Sequence, residues 1–183
     1  MLQRKKYSTS FITAFCAIEA SLAVTIMLCT GIITIGTYAL SALAGIILIP
    51  VVIEVGLKYA MITYVIASIL SVIIVPDKEA VLCFIFFLGY YPLVKAKIEL
   101  IKSKLIQWIV KLLMFNVAMV LVFYLSIAFL SIDTAEYELF GMYLPSVFLL
   151  IGNFIFILYD FGLTLNITRY VLVWREKLHF LFK

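Results

Sequence analysis

Charged residues are scarce in this chain, and their scarcity argues against a soluble protein. Only 13% of the 183 residues are charged, whereas a soluble domain carries roughly 25%. Hydrophobic residues make up 66% of the chain, and the mean hydropathy is +1.22. Apolar runs of about 20 residues, long enough to cross a bilayer, recur along the whole sequence. A single buried core does not require such runs, so the composition predicts an integral membrane protein.

Residues that bind metals or form disulfides are also rare. The chain has one histidine, His179, and three cysteines, Cys16, Cys29 and Cys83, which lie in apolar segments without a CxxC pair. Motifs of the GxSxG, HExxH and P-loop types are absent, as is an acidic metal cluster. We therefore expect no enzymatic activity, no cofactor and no metal site. The net charge of +4 comes from basic residues at the ends of apolar segments, which does not favour nucleic-acid binding.

Six membrane spans are predicted in one all-α domain that covers residues 1–183. They run at about 11–33, 38–57, 59–75, 80–96, 105–130 and 140–165. The N-terminal residues resemble a signal peptide, but the first apolar stretch is longer than such a region and contains Glu19. We interpret it as a retained first span.

The distribution of lysine and arginine predicts the orientation, since these residues favour the cytoplasmic side. With the N-terminus inside, the cytoplasmic side receives thirteen of the fourteen basic residues, and Lys78 is left outside. The thirteen are Arg4, Lys5, Lys6, Lys58, Lys95, Lys97, Lys102, Lys104, Lys111, Arg169, Arg175, Lys177 and Lys183. Both termini are therefore expected in the cytoplasm.

Several polar residues fall inside the predicted spans. Glu19, Lys111 and Asp160 lie well below the inner surface, where a charge is costly unless it is paired or protonated. They could form a proton or ion relay, although a structural ion pair, or a group exposed to a cytoplasmic vestibule, is the favoured interpretation. Asn116 and Asn153 lie near the midplane, where an amide pair could join the fifth and sixth spans.

Small residues recur every four positions in two of the spans. Thr13, Ala17, Ser21 and Thr25 form one face of the first helix, and Thr63, Ala67 and Ser71 form one face of the third. Such faces allow close helix contact. The contact could be internal, or the first helix could dock a partner subunit.

The outer turns collect polar and aromatic residues that could bind a ligand. The candidates are Thr34, Thr37, Tyr38, Asp77, Glu79 and Tyr143, with Asn116 and Asn153 deeper in the membrane. Their aromatic members could equally belong to the interfacial belt. Near the inner end of the fourth span, Pro92 in GYYP should break the helix. The sequence KIELIKSKLIQW after it predicts a short amphipathic helix on the membrane surface.

These features together resemble the substrate-binding S components of energy-coupling factor transporters. The resemblance covers nearly the whole chain and includes the six spans, the small-residue first helix and TYALSALAGIILIPVVIEVG after a short outer turn. PDKEAVLCFIFFLGYYPLVKAKIE also resembles an element of uncharacterised bacterial membrane proteins. The resemblance implies a multi-pass protein of a bacterial plasma membrane. It further implies a small-molecule site near the outer face, and a first helix that meets a coupling subunit served by ATPases. The alanine and tryptophan motif of thiamine-type members is missing, so the substrate stays open.

Two alternatives come from other classes of membrane protein. The size and span count are also similar to those of the cell-shape protein MreD, which implies a scaffold that organises partners without transport. A secondary transporter would instead work through Glu19, Lys111 and Asp160. A polar cavity between the outer turns is expected for a substrate binder and not for a scaffold.

Overall fold

Six helical segments of the chain are long and apolar enough to cross a membrane. They are Thr9–Cys29, Thr37–Glu54, Leu57–Ile74, Lys78–Ile98, Lys104–Phe129 and Val147–Trp174. The computed structural model describes residues 7–33, 36–130, 138–139 and 142–175, and within these ranges the side chains of 130, 138–139 and 142–146 are not described. The prediction of a helical protein is confirmed, as is that of six segments long and apolar enough to span a membrane, while the cytoplasmic placement of the termini stays a prediction. The sixth span continues to Trp174, beyond the predicted end at residue 165.

Three of the six spans are interrupted helices. The second consists of α2 (Thr37–Ile47) and α3 (Ile49–Glu54), with Pro50 in the first turn of α3. The fourth consists of α5 (Lys78–Cys83), a π-helical turn (Phe84–Leu88) and α6 (Tyr91–Ile98). The sixth consists of α8 (Leu144–Arg169) and a π-helical turn (Tyr170–Trp174).

The other three spans are continuous helices, namely α1 (Thr9–Cys29), α4 (Leu57–Ile74) and α7 (Lys104–Leu130). Before α8, the two-residue strands β1 (Glu138–Leu139) and β2 (Met142–Tyr143) pair antiparallel, with Glu138 opposite Tyr143.

Local chemistry explains where several of these helices begin. The side chain of Ser8 accepts a hydrogen bond from the Phe11 amide at 3.3 Å and caps α1, and Asp77 caps α5 through the Ala80 amide at 3.0 Å. Gly56 joins α3 to α4 with φ of 120°, a conformation that L side chains rarely adopt. Ser8 and Asp77 each supply a side-chain acceptor to an amide that has no partner within its helix.

The break predicted at Pro92 is present, but the surface helix predicted after it is wrong. Pro92 lies in the first turn of α6, where its missing amide hydrogen costs nothing. Residues 99–103 form a turn, and Lys104 already begins α7. The side-chain amide of Gln107 donates to the carbonyls of Glu99 at 3.1 Å and Ile101 at 2.6 Å, which stabilises this turn.

The fourth span lies at the centre of the bundle. Of its most apolar stretch 61% is buried, against 17 to 39% for the other spans. On one side it packs against the first three spans, whose contacts are rich in alanine, and on the other against aromatic residues of the fifth and sixth. Gly45 touches it directly: a Cβ there would lie 2.0 Å from the Leu88 carbonyl oxygen.

The two ends of the bundle are named here by residues that lie at them. The Asp77 end contains the turns between the first and second spans and between the third and fourth. The Glu99 end contains Gly56, the turn at 99–103 and Arg175.

Candidate functional site

Four charged side chains from three spans form a closed ring near the Glu99 end. Lys95 and Glu99 come from α6 and its C-cap, Lys111 from α7 and Asp160 from α8. Lys111 Nζ lies 2.8 Å from Asp160 Oδ2 and 3.0 Å from Glu99 Oε1, and Lys95 Nζ lies 2.9 Å from the same Glu99 oxygen. Lys95 also pairs with Asp160 Oδ1, which closes the ring. Two cations and two carboxylates therefore neutralise one another.

Burial makes this neutrality important. The side chain of Lys95 is fully buried, those of Lys111 and Asp160 are 5% exposed, and that of Glu99 is 39% exposed. The Tyr91 hydroxyl donates a further hydrogen bond to Asp160 at 2.5 Å. A buried charge of this kind persists only when it is paired and hydrogen-bonded. The ring is thus an ionic clamp between the last three spans, in agreement with the structural interpretation of Lys111 and Asp160.

Sequence reasoning missed Lys95, Glu99 and Tyr91 as members of this cluster. From sequence, Lys95 counts only among the basic residues of the cytoplasmic side, since lysines near span ends usually reach the membrane surface. The spacing held a usable signal, because Lys95 lies four residues after Tyr91 and four before Glu99 on one helical face. Partial burial opposes ionisation of Glu99, but hydrogen bonds from Lys95 and Lys111 outweigh it and lower the pKa of that carboxyl.

Glu19, the third predicted intramembrane charge, lies apart from the ring. It is half-buried on the first span, and within the described part of the chain it forms no ion pair. The structure therefore brings together Lys111 and Asp160 but does not add Glu19 to them.

A second ionic contact at the Glu99 end joins the second span to residues just before the first span and just after the sixth. The carboxylate of Glu54 is 2% exposed and pairs with Arg175, whose Nε lies 2.9 Å from Glu54 Oε1. The hydroxyl of Tyr7 donates to Glu54 Oε2 at 3.0 Å. This contact ties the residue that follows the sixth span to the N-terminal half.

The predicted amide pair between the fifth and sixth spans is present. Asn116 Nδ2 donates to Asn153 Oδ1 at 2.8 Å, and Asn153 Nδ2 donates back to Asn116 Oδ1 at 3.0 Å. Each nitrogen also donates to the carbonyl four residues earlier in its own helix, at 2.7 Å. Because both donors and both acceptors are used, the pair acts as a link between helices.

The candidate ligand residues at the Asp77 end form two pairs between the second and fourth spans. The Thr37 hydroxyl donates to Asp77 Oδ2 at 2.9 Å, and the Tyr38 hydroxyl donates to Glu79 Oε1. Thr34 lies outside the described residues, as does the side chain of Tyr143. The outer site predicted from sequence thus remains a prediction, with four of its members placed together.

The two small-residue faces have different surroundings. On the third span, Thr63, Ala67 and Ser71 are no more than 1% exposed and pack inside the bundle. On the first span, Thr13, Ala17, Ser21 and Thr25 are all exposed. The first span instead buries Ala20, Ala23, Val24 and Met27. Its small-residue face, here called the outward face, is therefore not packed against any other described part of the chain.

Comparisons with protein-family models, curated proteins and solved structures find no match to this chain.

Proposed function

We propose that the protein is a membrane-embedded subunit of a multi-subunit importer in a bacterial plasma membrane, and that it docks a transmembrane coupling subunit through its outward face. The observation that carries this proposal is the exposure of Thr13, Ala17, Ser21 and Thr25. Small residues let two helix backbones approach closely, and interfaces between membrane helices are enriched in them.

The rest of the bundle surface provides a useful contrast. The outer side of the third span exposes large residues such as Ile62, Ile66 and Ile69. Lipid tails accept these side chains readily, and nothing about lipid contact requires small ones. A regular row of small residues on the lipid-facing side is therefore better suited to a neighbouring helix than to lipid.

The hydroxyl groups of the outward face are already satisfied within the first span. Thr13 donates to the Thr9 carbonyl at 3.0 Å, Ser21 to that of Ala17 at 2.8 Å and Thr25 to that of Ser21 at 2.8 Å. The face can thus contact another helix without leaving donors unpaired. Association would depend on close packing, as is usual between membrane helices.

In the importer, separate ATPases and the coupling subunit supply the energy, as the resemblance to S components implies. A small molecule would bind at the Asp77 end, where the Asp77 and Glu79 carboxylates face Thr37 and Tyr38. The second candidate is a scaffold similar to MreD. The same two pairs favour it, since the polar groups at this end already form hydrogen bonds with one another and do not require a ligand. Both candidates use the outward face.

The test of docking is co-purification of the partner from the source organism in mild detergent. Ala17→Leu with Ser21→Leu places two larger side chains on the outward face, and we expect at least about a tenfold loss of the partner, as overpacking costs 1–3 kcal/mol. Ala128→Leu on α7 is the control, because Ala128 is also exposed. Equal recovery of the partner with both variants would contradict docking through this face.

A second readout separates the two candidates. An importer subunit should bring down ATPase peptides or one small molecule in stoichiometric amount, and Tyr38→Ala with Glu79→Ala should weaken the binding of that molecule. A scaffold should bring down cell-wall or division proteins and no small molecule.

A further inference from the structure

A groove of about 490 Å³ lies between the third and fifth spans, with the fourth span as its floor. Residues that line it include Met61, Tyr64, Phe86, Tyr90, Met114 and Val117. Its walls are apolar, and its lining residues lie inside three segments that are apolar enough to cross a membrane, so a bilayer would surround its opening. Its volume is within the roughly 300–1,000 Å³ of small-molecule sites.

The floor of the groove is held in place by hydrogen bonding and ring contacts. It contains the π-helical turn at Phe84–Leu88, a feature often found at functional sites. The hydroxyl of Tyr64 donates to the Ile85 carbonyl at 2.5 Å, and its ring meets that of Tyr90 edge-on at 6.2 Å. The groove is thus preformed, while methionines on two of its walls can adapt to a flexible occupant.

Two exposed lysines lie beyond the same end of this groove. Lys58 precedes Met61 by three residues on α4, so the two share a helical face. The Tyr90 carbonyl accepts hydrogen bonds from the first turn of α6. Lys97 follows Tyr90 by seven residues, or about two helical turns, so the two residues lie on the same face.

The two lysines also lie at similar depth. The contact between the rings of Tyr64 and Tyr90 aligns the two antiparallel spans. At about 1.5 Å per residue, Lys58 lies about 9 Å from the level of Tyr64 and Lys97 about 10.5 Å from that of Tyr90. Within the described part of the chain, neither lysine forms an ion pair.

We infer that this groove binds an anionic phospholipid, with one acyl chain against the third, fourth and fifth spans and the phosphate at Lys58 and Lys97. The apolar walls complement the acyl chain, and the two lysines, which form no ion pair with any described residue, complement the headgroup. A zwitterionic lipid would fill the groove equally well but would lack the net attraction to the lysines. The proposal does not depend on docking through the outward face.

The test is native mass spectrometry of the purified protein in micelles that contain equal amounts of phosphatidylglycerol and phosphatidylcholine. Wild type should retain phosphatidylglycerol preferentially. Lys58→Gln with Lys97→Gln should lower its affinity about 25-fold, since each lysine near a membrane surface contributes about fivefold. Phosphatidylcholine binding should be unchanged. The control is Lys102→Gln with Lys104→Gln, which removes two exposed lysines at the same end. Lys102 lies in the turn at 99–103, and Lys104 precedes the groove residue Leu113 by nine residues, which puts the two on opposite sides of α7.

A third variant tests the apolar part of the site. Val117 is 52% exposed, so Val117→Trp can fill the groove without disturbing the core, and it should reduce binding of both lipids. Three results would overturn the proposal: no preference between the lipids in wild type, equal losses in the two lysine variants, or full lipid retention by Val117→Trp.

Discussion

Replacement of Asp160 by asparagine should destabilise the bundle strongly. The substitution keeps the size of the side chain and an oxygen that can accept from Tyr91, but it removes one of the two negative charges of the ring. Lys95 and Lys111 then share the single carboxylate of Glu99, which is 39% exposed. One cation is left buried without compensation.

The expected loss follows from the burial of the two lysines. Removal of one partner from a buried ion pair costs about 3–5 kcal/mol, and here the remaining cations are 0% and 5% exposed. A second substitution, Lys95→Met, should restore neutrality. It leaves Lys111 with Glu99 at 3.0 Å, and the double variant should recover more than half of the loss.

Reversible unfolding in mixed micelles measures both effects. Lys102→Gln is the control, because it removes an exposed charge and should change stability by less than about 0.5 kcal/mol. The ionic-clamp interpretation fails if Asp160→Asn stays within about 1 kcal/mol of wild type, or if Lys95→Met adds to the loss.

Three further predictions concern other contacts in the bundle. Gly45→Ala should lower the free energy of unfolding by about 1–3 kcal/mol, since the new Cβ would lie 2.0 Å from a backbone oxygen. The Cβ of Gly162→Ala would meet nothing within 4 Å, so this variant should be more stable than wild type by up to about 1 kcal/mol. Thermal unfolding that ranks the two variants the other way would contradict this packing. A double-mutant cycle with Asn116→Leu and Asn153→Leu should give a coupling of about 1 kcal/mol, and additive losses would mean that the amides act separately. The pKa of Glu99 is lowered in the folded protein, so the contribution of this carboxylate to stability is present above the ordinary carboxyl pKa and declines as the pH falls through the folded value. In Glu99→Gln, the free energy of unfolding should therefore fall less steeply over this acidic range. An unchanged dependence on pH would contradict the ion pairs assigned to Glu99.

The span pattern could be predicted from sequence because it depends on length and composition. Apolar runs separated by glycine, proline and charged turns are visible without any knowledge of packing. The interruptions are harder to see. The break at Pro92 follows from a missing amide hydrogen, but the π-helical turn before it depends on neighbours such as Tyr64, which approach only in the folded bundle.

Function-related residues were predictable where their depth along the spans was informative, and not where the burial of a helix face decided their role. Asn116 and Asn153 were paired correctly from their depth. Lys95 was wrongly expected at the surface, because a lysine at a span end can extend to the surface or point into the bundle. Its ion pair with Asp160, which forms only in the folded bundle, determines that it points inward. The small-residue faces of the first and third spans look alike in sequence, yet only that of the third is buried.

The most direct test of the proposed docking is photocrosslinking in native membranes. A photoreactive residue at Ser21, on the outward face, should crosslink to a transmembrane protein that is not a second copy of this chain. The same residue at Val65, which is 48% exposed on the third span, should label lipid. Crosslinks to lipid alone at both positions, or to a second copy at Ser21, would contradict the proposal that the first span docks a partner subunit.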